Sequence, residues 1–180
     1  MSLLEAILVG RFVTFVLVLA RVSGVVVTAP LFSSQGIPIR VRALLAVALA
    51  LLVAPMQQAV SVQAVENLVE LMRLLTLEML VGLLLGLGLN ILFTGIQVAG
   101  QIVSQMSGMS LADVFNPGFD TNVSVFSQLF FFLTMAVFVC VGGHRMVIEA
   151  LLETYQWAPP GQALLGHSFV EALTAIVTQS

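Results

Sequence analysis

Lysine is absent from this chain of 180 residues, and all six basic side chains are arginine. Charge of either sign is scarce: 8% of residues carry one, against about 25% in soluble domains. That scarcity excludes an ordinary water-soluble globule. The net charge of -3 is small and scattered, which excludes a basic surface for nucleic acid. A single cysteine, Cys140, excludes an internal disulfide. The N-terminal stretch MSLLEAILVGRF has Glu5 early and no small-residue cleavage site before the apolar run continues. It therefore reads as mature chain rather than a removed signal peptide. What the chain does have is hydrophobic side chains, 59% of the total, with a mean hydropathy of +1.11. Membrane residence, or a very apolar assembly, follows.

Five apolar segments predict an all-α fold of hydrophobic helices and helical hairpins, membrane-associated. A bilayer core of about 30 Å needs about 20 apolar residues in a helix. Phe12 to Phe32 is long enough but carries Arg21 near its middle and ends around Pro30. Ala43 to Met56 stops at Pro55 after 14 residues, short for a crossing. Leu74 to Ile96 contains Glu78 and Asn90, and Val125 to Gly143 is the cleanest span. Ala163 to Thr178 is short and contains His167 and Glu171. A charge at mid-bilayer costs roughly 3 kcal/mol on insertion scales unless paired or wet. Helices carrying Arg21 and Glu78 are thus expected to face protein rather than lipid. The connection SSQGIPIRVR, with Arg40 and Arg42, reads as cytoplasmic by the positive-inside rule. Residues 57–73 are polar enough for an interfacial helix, and APPGQ breaks the chain before the last segment.

Gly82 and Gly86 form a GxxxG pair, a spacing that lets a second helix backbone approach closely and that also arises by chance. Gln97, Gln101 and Gln105 recur every four residues along one side of a helix, extended backwards by Thr94 and Asn90. Uncharged amides in such a setting either hydrogen-bond to neighbouring helices or line a wet passage. After this stripe, Asn116-Pro117-Gly118 stops regular structure, because proline lacks a donor and disfavours helix at the residue before it. Met106, Met109, Leu111, Val114, Phe115 and Phe119 bracket that break. They either fill core gaps or seal a passage, since methionine adapts to irregular contacts and an apolar constriction excludes water. Catalytic arrangements are poor. Ser107 lies in QMSG, where an intramembrane serine protease has a Gly-x-Ser-Gly motif, with His144 a candidate base; Asp113 and Asp120 share one loop. Cys140 and His144 lack a third metal ligand.

Three blocks resemble the flagellar biosynthetic FliR family and its virulence type III secretion counterparts, the SctT proteins. ARVSGVVVTAPLFSSQGIPIRVRALLAVALALLVAP matches the family's arginine-containing first helix, its Ala-Pro step and its Ile-Pro-x-Arg-x-Arg start of a second helix. GQIVSQMSGMSLADVFNP is similar to a Gly-Gln/Glu helix leading to Gly-φ-Ser-φ-Ala-x-φ-φ-Asp-Pro, with Asn116 in place of the aspartate. GGHRMVIEALLETYQWAP resembles an Asn-Gly-His turn and its helix, with Gly142 at the asparagine position and Thr154-Tyr155 where Ser-Phe is frequent.

The resemblance implies a non-enzymatic core subunit of a protein-export gate, with no cofactor, in the bacterial inner membrane at a flagellar basal body or injectisome base. The expected partners are FliP-like and FliQ-like subunits, an FlhB-like subunit, lipid and unfolded substrate, packed as a hetero-oligomeric helical assembly. Residues 1–180 would form one domain, apparently without the family's C-terminal part. Its expected parts are an N-terminal hairpin (1–56), a polar-striped long helix region (57–116), a plug loop (106–124) and C-terminal helices (125–180). Arg21, Arg40, Arg42 and Glu78 would meet charges on neighbouring subunits. A stand-alone small permease or channel is the competing expectation, with an intramembrane serine protease a distant third.

Overall fold

A computed structural model describes residues 3–33, 37–58, 67–108 and 124–161. All regular structure among these residues is helical. Helix α1 (Leu3–Thr28) ends where Pro30 forces Ala29 out of helical geometry. Pro30 then opens the short α2 (Pro30–Ser33), at a first position where its missing N–H is not needed. Pro38, with extended backbone (φ -57, ψ 142), precedes α3 (Ile39–Val53), and a 3-10 turn at Ala54–Met56 closes around Pro55. The apolar segment thus takes in Arg40 and Arg42 and reaches 18 residues, Ile39–Met56, rather than 14.

Helix α4 (Leu68–Met106) runs unbroken for 39 residues, about 58 Å at 1.5 Å per residue. Helices α5 (Val125–Cys140) and α6 (Gly143–Trp157) follow, inclined to each other by 68°. The run expected to be the cleanest single span is therefore a 16-residue helix and a corner. Gly142 makes that corner with φ +81, left-handed backbone that a side chain other than asparagine or aspartate resists. Among the described residues, three helices are long and apolar enough to cross a membrane: Ile7–Thr28, Ile39–Met56 and Leu68–Met106. The α5–α6 pair joins them only if the bent unit counts as one span.

Glycine brings α1 and α4 together. A Cβ on Gly24 would stand 2.7 Å from the Met79 carbonyl oxygen, one on Gly82 would overlap the Arg21 carbonyl, and one on Gly86 would overlap the Thr28 hydroxyl. Arg21 meets Glu78 and Gly82, and Thr28 meets Gly86 and Asn90, an advance in the same direction along both helices, so the two are parallel. The expected packing face at Gly82 and Gly86 is present, and its partner lies within the same chain. Helix α3 returns antiparallel to α1. Val18, Val22, Val25 and Val26 of α1, Ala46, Ala50 and Val53 of α3, and Leu151 and Tyr155 of α6 form the buried core.

Because Thr28 sits level with Gly86 and Asn90, the remaining turns of α4 project past the end of α1. There α5 lies against them, antiparallel. A Cβ on Gly100 would come within 2.9 Å of the Phe126 carbonyl, and Phe93 stacks edge-on against Phe131 and Phe138 at 6.0 and 5.5 Å.

Gly82 and Gly88 should separate cleanly in a stability measurement. Gly82→Ala drives a methyl into the α1 backbone and lowers detergent-solubilised thermal stability by about 3 kcal/mol, the upper end for overpacking. Gly88, whose added Cβ meets nothing within 4 Å, gains up to about 1 kcal/mol from the better helix former alanine. Equal melting temperatures for the two variants would refute this packing.

Candidate functional site

Arg21 and Glu78 were expected to reach for other subunits; instead they answer each other. Arg21 Nε donates to Glu78 Oε2 at 2.6 Å, and both side chains are fully buried. The rest of the guanidinium is also engaged. One Nη donates to Thr154 Oγ1 at 3.0 Å, the other to the Ala158 carbonyl at 2.9 Å, and the group lies 4.2 Å from the centroid of the Tyr155 ring. The second oxygen of Glu78 accepts the Gly161 N–H at 3.0 Å. The physical reason is the glycine contact. Gly24 and Gly82 bring the two backbones so close that side chains one turn away must pair across the seam. Arg40, by contrast, is exposed in the first turn of α3, and Arg42 is half-buried beside it.

The polar stripe on α4 divides into two parts. Asn90 Nδ2 donates to the Thr28 carbonyl at 3.2 Å, which satisfies an acceptor left open at the end of α1. Thr94 Oγ1 in turn donates to Asn90 Oδ1 at 3.1 Å. This upper part is amide glue within one chain. Further along, Gln97 is half-buried beside α5, where its main-chain carbonyl accepts from Ser127 Oγ at 2.9 Å. Ser124 caps α5 by accepting the Ser127 N–H. Gln101 and Gln105 are exposed on the projecting turns.

Met106, the last residue of α4, is 85% exposed, and Gly108 turns the chain with φ +68. Met109, Leu111, Val114, Phe115 and Phe119 lie outside the described residues. So do Asp113 and Asp120. Ser107 Oγ is turned back onto its own helix, donating to the Val103 carbonyl at 2.7 Å, a poor disposition for a nucleophile. His144 and Cys140 are both exposed.

One feature of α4 escaped the sequence reading. Leu84, Gly88, Ile91, Gly95, Val98 and Ile102 alternate spacings of four and three, and all are exposed. An added Cβ at Gly88 or Gly95 meets nothing within 4 Å. Large side chains alternating with glycine over a seven-residue repeat make ridges and hollows suited to a second helix. Between them opens a groove of about 490 Å³ bordered by Leu87, Asn90, Thr94 and Val98. The repeat was the available signal.

A family model described as bacterial export proteins, family 1, matches residues 12–180. The chain belongs to that family. Among curated relatives, flagellar biosynthetic protein FliR of Escherichia coli (strain K12) is 28% identical over 156 residues, covering 87% of this chain and 59% of the relative. FliR of Aquifex aeolicus (strain VF5) is 30% identical over 149 residues, 83% of this chain and 57% of that protein. Secretion system apparatus protein SsaT of Salmonella typhimurium is 29% identical over 92 residues, 51% of this chain and 36% of its own length. The chain thus spans under two thirds of the length of the relatives it matches. Within this family-1 export protein, the resemblance read from three sequence blocks is established as membership.

The buried pair makes an asymmetric prediction. Arg21→Met or Glu78→Gln alone leaves one group without its partner and destabilises the chain by about 3–5 kcal/mol. The double variant Arg21→Met with Glu78→Met restores much of that loss. Thermal unfolding in detergent reads both; single variants as stable as the parent chain would refute an internal pair.

Proposed function

We propose that this chain is a membrane subunit of a type III protein-export apparatus, flagellar or virulence-associated, that forms part of the conduit and closes it with an apolar loop. The observation that carries this reading is the projecting half of α4. It bears exposed apolar side chains in a helix-docking repeat, two exposed glutamines, and a terminal methionine that is 85% exposed. Apolar side chains alone would suit lipid, whereas large residues alternating with glycine on one face suit a second helix. The names of the relatives, flagellar biosynthetic protein and secretion system apparatus protein, supply the kind of assembly in which it is used.

In this reading Leu84, Gly88, Ile91, Gly95 and Val98 receive helices of FliP-like and FliQ-like subunits, with an FlhB-like subunit adjoining, in the bacterial inner membrane. Gln101 and Gln105 hydrogen-bond to those neighbours or face the passage. Met106 leads into Met109, Leu111, Val114, Phe115 and Phe119, the groups that seal it. Thioether and aromatic side chains exclude water without a fixed charge, so ions meet a dewetted constriction. An unfolded chain displaces the same groups by offering its own apolar side chains, because methionine repacks at low cost. The subunit contributes a passage and a closure, and no covalent chemistry.

Deleting Met106 to Phe115 from the chain in its assembled complex should raise small-ion conductance across a reconstituted bilayer while leaving the complex intact by mass. Unchanged conductance would remove the sealing role. Co-expression with unlike export subunits should yield one particle containing this chain; a stable homo-oligomer formed in their absence would favour a stand-alone channel instead.

A further inference from the structure

Three of the chain's arginines, Arg21, Arg73 and Arg145, hold a carboxylate. Arg11 does not. Among the described residues its polar contact is a 3.5 Å approach to the main-chain carbonyl of Gln57, which leaves most of the guanidinium fork unused. The side chain borders a groove of about 490 Å³ between the N-terminal half of α1 and the end of α3. Phe12, Phe15, Leu51, Ala54 and Pro55 form the rest of its lining, all of them apolar. The volume falls within the range of about 300–1,000 Å³ typical of small-ligand sites.

The depth of this groove in the bundle can be fixed. The apolar span of α1 begins at Ile7 and that of α3 ends at Met56, so the groove opens within about two helical turns of the ends of both spans. The parallel register of α1 and α4 agrees. Ten residues back from Arg21 is Arg11, and ten back from Gly82 is Met72, in the first turns of α4 where Glu70 and Arg73 form an exposed ion pair. Charged groups thus occur at this level on two helices, Arg11 on α1 and the Glu70–Arg73 pair on α4. The surface around the groove is greasy: Leu8, Phe12, Leu51, Leu52 and Met56 are each at least 60% exposed.

We propose that this groove binds an anionic glycerophospholipid, its phosphate on Arg11 and one acyl chain laid along Phe15, Leu51 and Ala54. A guanidinium at the edge with little to hold among the described residues, beside five apolar lining residues, selects an amphiphile with a negative head. The boundary position is where such a molecule already resides at high local concentration. Arginine's planar fork matches a phosphate's paired oxygens, whereas a zwitterionic head brings its own cation to compete. The site rests on membrane residence alone, and it stands whether or not the chain belongs to an export conduit.

Native mass spectrometry of the full chain in detergent tests this, with phosphatidylglycerol and phosphatidylcholine of identical acyl composition. Phosphatidylglycerol should be retained about fivefold better, the factor corresponding to about 1 kcal/mol for one arginine near an anionic surface. Arg11→Gln should abolish that preference, Arg11→Lys should keep part of it, and Leu51→Trp, which fills the groove, should lower retention of both lipids. Equal retention of the two lipids by the parent chain overturns the proposal, as does an undiminished preference in Arg11→Gln. Displacement by glycerol 3-phosphate, which has no acyl chain, would show that the floor plays no part and equally overturns it. Loss of the lipid when the chain joins other subunits would assign the groove to a protein partner.

Discussion

A guanidinium and a carboxylate, each shut away from solvent, meet at 2.6 Å in the middle of the bundle, and the positions of three helices follow from that meeting. Taking two charges out of water costs several kcal/mol per ion, and attraction offsets this only when the remaining donors and acceptors are satisfied. Here they are. Each nitrogen of Arg21 has a partner in Glu78, Thr154 or Ala158, and each oxygen of Glu78 has one in Arg21 or Gly161. The pair needs α1 and α4 to touch along their backbones, and only residues without a side chain permit that at Gly24 and Gly82. It also needs the end of α6 to deliver a hydroxyl and a carbonyl. Glycine seam, ion pair and C-terminal helix are therefore one cooperative unit, and damage to any of them reaches the other two.

Helix α4 serves two sets of neighbours along its length. Its first half is covered by α1, with Asn90 closing the arrangement by binding the last carbonyl of that helix. Its second half is covered on one side by α5, through Gly100, Ser127 and the Phe93 ring contacts. The other side remains open, with its alternating large and small positions. That division places the structural use of the polar stripe near α1, while Gln101 and Gln105 are exposed.

Much of this was readable in the residues. Pro30, Pro38 and Pro55 mark real helix boundaries, because proline acts locally and needs no knowledge of the fold. The Gly82–Gly86 pair marks a real seam for the same reason. The pairing of Arg21 with Glu78 was not readable, since nothing local links positions far apart in the chain; each charge looked like an appeal to a stranger. The corner at Gly142 was hidden by hydropathy, which stays high through Val141 and does not register backbone handedness. The repeat running from Leu84 to Ile102 was lost among so many apolar neighbours, because a seam stands out by contrast and here everything nearby is apolar.

The length of α4 has a consequence for how the chain sits in a bilayer. Hydrocarbon is about 30 Å thick, and even a tilt of about 40°, at the top of the usual range, shortens a 58 Å rod only to about 44 Å along the membrane normal. A crossing by α4 would therefore leave two turns or more outside the hydrocarbon. Both ends carry exposed apolar side chains, Leu68 and Val69 at one and Ile102, Val103 and Met106 at the other. Those emergent turns are matched neither to acyl chains nor to water, so a solubilising belt as thick as the membrane leaves the chain adhesive beyond its rim.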